Sequence, residues 1–182
     1  MIGINVAQLL QLPQGTVRQF AFDEDPGVLE EPCIVGRLRA EGTLMRVGSG
    51  VLADCRFETA LAGECARCLE NAISTVSGRF QEQFEPTVDV RTGIPLAEDR
   101  PEAEEFQIDA NHVLDLGEAL RQHILTAAPL QPLCRPDCRG LCPECGCNLN
   151  ERACDCAPSA SGSPFAALKQ LLVEPGDQAR GA

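Results

Sequence analysis

The chain has no tryptophan, no tyrosine, two histidines, and one lysine, Lys169, among its 15 basic residues. It also contains no apolar run close to the roughly 20 residues that a bilayer-spanning helix needs, so no membrane span is expected. The segment Met1-Ile2-Gly3-Ile4-Asn5 lacks the basic head and apolar stretch of a signal peptide, and a cytoplasmic location is predicted. With so few histidines and no tyrosine, little is left for acid–base catalysis. His112 reads as part of a loop and His123 as a packed histidine on an apolar helix face, so no nucleophile–base–orienter set can be named. Gly48-x-Gly50 is too short for a phosphate-binding loop and reads as a turn. The chain is therefore expected not to be an enzyme.

Acid and sulfur are what it has in excess. The formal charge is -12 over 182 residues. Residues 82–118 hold 11 acidic residues against only Arg91 and Arg100, so one central segment carries most of the excess. With Pro86, Pro95 and Pro101 in it, the stretch at about 86–105 reads as a mobile acidic loop, either a solvated linker or a docking surface for a basic partner. A chain so acidic is not expected to grip a nucleic-acid backbone unaided, since that needs a basic stripe. Arg135, Arg139 and Arg152 could still give a local RNA contact.

The first half alternates with period two. Ile34, Gly36, Leu38 and Ala40 alternate with Val35, Arg37, Arg39 and Glu41. After the turn Gly48-Ser49-Gly50, Val51, Ala53, Cys55, Phe57, Thr59 and Leu61 share one face. A second strand is expected from Ile73 to Phe84, with Val76, Gly78, Phe80 and Phe84 inward. The prediction is an α+β fold: an antiparallel sheet or small open barrel of about four to six strands with one or two packed helices. A helix is expected after Asp115, with Asp115 and Glu118 as a capping pair and Leu116, Ala119, Leu120, Ile124 and Ala127 as its apolar stripe. A short docking helix is expected from Ser163, followed by a tail. The division expected is 1–133 for the sheet domain, 134–156 for a cysteine-rich metal module and 157–182 for the docking helix and tail.

At this length a hydrophobic core suffices for folding, so the 11 cysteines are not needed as a disulfide framework. Seven of them, Cys134, Cys138, Cys142, Cys145, Cys147, Cys154 and Cys156, crowd into one short stretch. Metal is the first explanation of such density in a cytosolic chain. Cys142-Pro143-Glu144-Cys145-Gly146 reads as a zinc knuckle, in which two intervening residues let both sulfurs reach one ion and the glycine turns the backbone back. Soft thiolates favour zinc. The iron–sulfur spacing CxxCxxC is missing, and no alternating strand–helix pattern supports a thioredoxin-type site. The candidate ligands are Cys65, Cys68, Cys134, Cys138, Cys142, Cys145, Cys154 and Cys156. They could form two four-sulfur sites, or a single site in the dense group with Cys65 and Cys68 free. Cys33 and Cys55 read as small core residues, and Cys147 as a bystander.

These motifs resemble a known family. Cys65-Ala66-Arg67-Cys68-Leu69 is similar to the CxRCL signature of the YceD-like proteins, named for large ribosomal RNA subunit accumulation. The run from Cys138-Arg139-Gly140-Leu141-Cys142 through Asn148-Leu149-Asn150 to Cys154-Asp155-Cys156 resembles the pattern of the family's longer form. The likeness extends from about residue 30 to 173. Cys147 stands where a small residue is common, and Ser163 where an acid usually precedes the proline. Shorter members keep only the first cysteine pair, which implies a role for that pair by itself. The resemblance implies a non-catalytic role in large-subunit ribosomal RNA accumulation or ribosome assembly, with a ribosomal protein or pre-ribosomal particle as partner. The alternative is a redox-responsive zinc–thiolate regulatory protein, in which oxidation ejects the metal.

Overall fold

The computed structural model describes residues 2–25, 33–96 and 106–156. The docking helix expected from Ser163 lies outside the described residues. Among those described, seven strands form one sheet in the order β1-β7-β6-β5-β4-β3-β2. The strands are β1 (Gly3–Asn5), β2 (Val17–Glu24), β3 (Leu38–Val47), β4 (Gly50–Glu64), β5 (Asn71–Pro86), β6 (Gln107–Ile108) and β7 (Val113–Asp115). Two helices accompany them, α1 (Ala7–Gln11) and α2 (Gly117–Ala127).

The centre of the sheet is built as the alternation dictates. Val47 pairs with Gly50 across the glycine turn, and from there β3 and β4 run antiparallel. Val51, Ala53, Cys55, Phe57, Thr59 and Leu61 are all buried on the inner face of β4. Gly78 of β5 lies opposite Phe57, and a Cβ on it would sit 2.7 Å from the Phe57 ring, so the missing side chain is the space the ring fills. Burial raises the Cys55 thiol to about 12, as befits a residue acting as a small apolar side chain. Cys33 behaves differently and is exposed. Its neighbour Ile34 turns inward to bridge Leu61, which sends the Cys33 side chain to the other face.

The sheet is mixed, where an antiparallel one was expected. Glu85 and Pro86 pair in parallel with Gln107 and Ile108. Parallel neighbours need a long crossover; of the acidic loop expected at about 86–105 between these two strands, residues 97–105 lie outside the described residues. Its described part is a tight excursion in which Asp89 Oδ1 accepts the amides of Arg91 and Thr92. The sheet curls without closing: the edge strands β1 and β2 do not pair, but Arg18 Nη1 of β2 donates to the carbonyl of Asn5 in β1 at 2.7 Å.

α2 lies against β5. Leu116, Ala119, Leu120 and Ile124 are buried, whereas Ala127, expected on the same stripe, is exposed. His123 stacks on Phe80 with ring centroids 4.5 Å apart, and its Nε2 lies 3.0 Å from Glu82. The expected capping pair does not form. Asp115 Oδ1 accepts the amides of Gly117 and Ile2, tying the start of α2 to β1. Glu118 instead takes Arg121 and Gln122.

Candidate metal centres

Two loops of the same design carry the thiols. In the first, at the tip of the β4–β5 hairpin, the Leu69 amide donates to the Cys65 carbonyl and the Cys65 amide to the Glu70 carbonyl, at 2.9 and 2.8 Å. In the second, the Gly146 amide donates to the Cys142 carbonyl and the Cys142 amide to the Cys147 carbonyl, again at 2.9 and 2.8 Å. Each pattern folds a Cys-x-x-Cys pair into a tight loop with both sulfurs on the same side, the geometry of a zinc knuckle.

The first loop does not stand alone. The chain after α2 returns to it, and the Ala66 amide donates to the Pro132 carbonyl at 2.8 Å. That contact delivers Cys134 and Cys138. The sulfurs of Cys65, Cys68, Cys134 and Cys138 lie within 4.8 Å of one another. Cys65 Sγ is 3.8 Å from Cys138 Sγ, and Cys68 Sγ is 3.6 Å from Cys134 Sγ. A tetrahedral ion with sulfurs at about 2.3 Å has edges of about 3.8 Å, so the donor set fits zinc in both type and spacing. A disulfide would bring two sulfurs to about 2.05 Å, and all 11 cysteines are free thiols.

The second group comprises Cys142, Cys145, Cys147 and Cys154, whose sulfurs also lie within 4.8 Å of one another. Cys156, a candidate ligand by sequence, is exposed and is not one of these four. Cys147, read from the sequence as a bystander, is thus a member of the group and is buried. The bond from the Cys142 amide to the Cys147 carbonyl draws it back across the loop. The missed signal was the position itself: Cys147 follows the turn as Glu70 does in the first loop.

The thiols within each group shift in opposite directions. Backbone amides, that of Cys134 foremost, lower the Cys65 thiol to about 6, and the Cys147 amide is the main cause lowering Cys145 to about 6. Burial, followed by the neighbouring Cys68 thiol, raises Cys134 to about 12. Contact with Cys145 does the same to Cys147 and Cys156. In each cluster backbone amides favour the thiolate form of some sulfurs while crowding opposes ionisation of others, surroundings compatible with a bound cation.

The two groups are joined by short polar links. The Leu141 amide donates to the Arg67 carbonyl at 3.0 Å, and Arg67 Nη1 donates to the Cys138 carbonyl at 2.9 Å. Gly140, with φ of 76°, permits this approach, since a Cβ there would lie 2.9 Å from the Arg67 oxygen. Asn150 Nδ2 donates to Cys138 Sγ at 3.3 Å, while Asn150 Oδ1 accepts the Arg139 amide at 2.8 Å. The Asn148-Leu149-Asn150 run thus supports the first thiol group from the second loop. Elsewhere, a shallow groove over the outer sheet face is lined by Arg56, Arg79, Glu41 and Asp54, a mixed-charge surface and not a basic stripe. No helix among the described residues is long and apolar enough to cross a membrane.

An open, curled mixed sheet with two linked four-thiol groups defines a class of cysteine-rich proteins able to hold metal. Within that class the chain belongs to the YceD family: residues 53–172 match the family described as Large ribosomal RNA subunit accumulation protein YceD. Uncharacterized proteins of Mycobacterium tuberculosis and Mycobacterium bovis are each 33% identical over 103 residues, covering 57% of this chain and 47% of the relative. Large ribosomal RNA subunit accumulation protein YCED homolog 1, chloroplastic, of Arabidopsis thaliana is 24% identical over 127 residues, covering 59% of this chain and 40% of the relative. The chain thus spans less than half the length of these relatives. No solved structure matches it.

Proposed function

We propose that this chain is a non-catalytic factor that supports accumulation of large-subunit ribosomal RNA, with zinc as the structural metal of both thiol groups. Membership of the YceD family carries the ribosome-related part of the reading. The zinc part rests on the donor set, four sulfurs per group within 4.8 Å of one another, compatible with a tetrahedral ion. Cys65, Cys68, Cys134 and Cys138 would hold one ion, and the Cys142–Cys156 segment the other. Four sulfurs fill the coordination sphere and leave no open position for catalysis, so the metal stabilises shape. The partner we propose is a basic ribosomal protein or a pre-ribosomal particle in the cytoplasm, attracted by the acidic crossover. Arg135, Arg139 and Arg152, all exposed beside the thiols, are suited to a local RNA contact.

The test is sedimentation of a lysate through a gradient, alongside ribosomal RNA levels in a deletion strain. The chain is expected in fractions holding large-subunit precursors, with reduced large-subunit RNA when it is deleted. Its absence from those fractions, with unchanged RNA, would overturn the reading.

A further inference from the structure

The outer face of the β4–β5 hairpin changes character along its length. Toward the glycine turn it carries Asp54, Arg56 and Glu58. Toward the thiol loop β4 turns Ala60 and Ala62 outward, paired with Thr75 and Ile73 of β5. Val35 and Cys33 flank the alanines on the other side, the Val35 amide donating to the Ala60 carbonyl and the Ala62 amide to the Cys33 carbonyl. Ile73 is 69% exposed, Val35 43%, and Cys33 is exposed as well. The result is an uncharged trough, floored by two alanines, walled by Ile73 and Val35, and bounded along β4 by Glu58 and Glu64. Neither glutamate takes part in an ion pair among the described residues.

The same chain supplies an occupant. The second thiol loop is bonded to the hairpin tip through Leu141 and Arg67, and the described residues end in it at Cys156. Residues 157–162 span roughly 20 Å when extended. Ala62 lies roughly 10 Å along β4 from Cys65. Beyond that spacer Phe165, Leu168, Lys169 and Leu172 recur at helical spacing on one side. The stripe places the chain's only lysine among apolar residues, which matches an apolar trough with acidic ends. The inner face of the sheet offers no such site, since its apolar residues are already buried.

We propose that residues 164–173 dock on this trough of their own chain, with Phe165, Leu168 and Leu172 against Ala60, Ala62 and Ile73 and Lys169 beside Glu58 or Glu64. The contact is independent of which metal the thiols hold. It covers Cys33 and fastens the cysteine-rich segment to the sheet at a second place.

The test treats the full chain, under reducing conditions, with a carbodiimide, which joins a lysine amine to a carboxylate in direct contact. Because there is one lysine, peptide mass spectrometry reads its partner without ambiguity. A cross-link within one chain from Lys169 to Glu58 or Glu64 is expected. Alkylation of Cys33 by iodoacetamide is expected to be several-fold faster in Leu168→Asp and in Ile73→Asp than in the parent. Each variant alters one side of the contact, and the cross-link in the parent stands whether or not either variant folds. A Lys169 cross-link confined to other carboxylates would overturn the docking, and one joining two chains would make a second copy the occupant instead. Absence of the cross-link, or equal Cys33 alkylation in all three proteins, would equally overturn it.

Discussion

Leu69 and Gly146 occupy the same place in two equivalent loops. Each follows the second cysteine of a Cys-x-x-Cys pair, and each has left-handed backbone, with φ of 62° and 70°. Glycine adopts that conformation freely; leucine does so at a cost of about 1–2 kcal/mol. Leu69 is 62% exposed, so its side chain buries little in return. Leu69→Gly is accordingly expected to keep its metal and to unfold at equal or higher urea concentration. Gly146→Val should lose about 1–2 kcal/mol of stability in the second loop. Urea unfolding followed by circular dichroism, with metal content measured on each variant, checks both.

Asn150 is expected to act on metal affinity and not on the fold. Its amide nitrogen supports the Cys138 sulfur and its oxygen holds the Arg139 amide. Groups that orient metal ligands in this way commonly change affinity by about 10–100-fold when removed. Asn150→Ala should release zinc to a competing chelator at a correspondingly lower chelator concentration, with unchanged far-UV circular dichroism. Unaltered competition would show that this hydrogen bond does not tune the site.

Chelation should loosen the cysteine-rich segment while sparing the sheet. The amides of Leu141, Cys142 and Gly146 are bonded within or between the thiol loops, whereas the central ladder pairs β4 with β5 over its full length. Metal binding and local folding are coupled in such segments. Hydrogen exchange after chelator treatment should show these three amides exchanging quickly while those of Phe57 and Phe80 stay protected.

Gly78→Ala is expected to destabilise the core. The added Cβ would meet the Phe57 ring at 2.7 Å, and overpacking of this sort costs about 1–3 kcal/mol. A thermal melt lowered relative to the parent, with metal content retained, would place the damage in the sheet.

Two carboxylates set an acid limb. Arg79, with Gln81, lowers Asp54 from 3.8 to about 2, and Arg121, with Gln122, lowers Glu118 from 4.5 to about 2. Because the folded values are depressed, their stabilising contribution is complete above the unfolded values and fades as pH falls toward 2. Asp54→Asn and Glu118→Gln should flatten the decline of the urea midpoint between pH 4.5 and 2. Both sites are partly exposed, so the change will be small and will shrink further in high salt.

The central hairpin was legible because six alternating residues of β4 have one face to bury and a glycine turn fixes their register. The parallel pairing was hidden because β6 has only two residues, too few to show any period. The thiols were legible as a population but not as a partition. Spacing shows which sulfurs can share an ion along the chain, yet Cys134 and Cys138 reach Cys65 and Cys68 only because the segment after α2 docks at Pro132. That docking also corrects the impression that the first pair acts alone. Cys147 was missed because its burial follows from a hydrogen bond across the loop, not from a spacing rule.

The β4–β5 hairpin has a consequence for how the molecule meets others. Its strands hold 15 and 16 residues, which at about 3.3 Å per residue is roughly 50 Å of chain along the strand direction. The thiol loop closes one end of this ladder, and the acidic crossover leaves from the other. The protein is in this sense bipolar: the first thiol group lies at one pole, the departure toward β6 at the other, and the paired ladder between. The separation of the two poles is set by the number of rungs in the ladder.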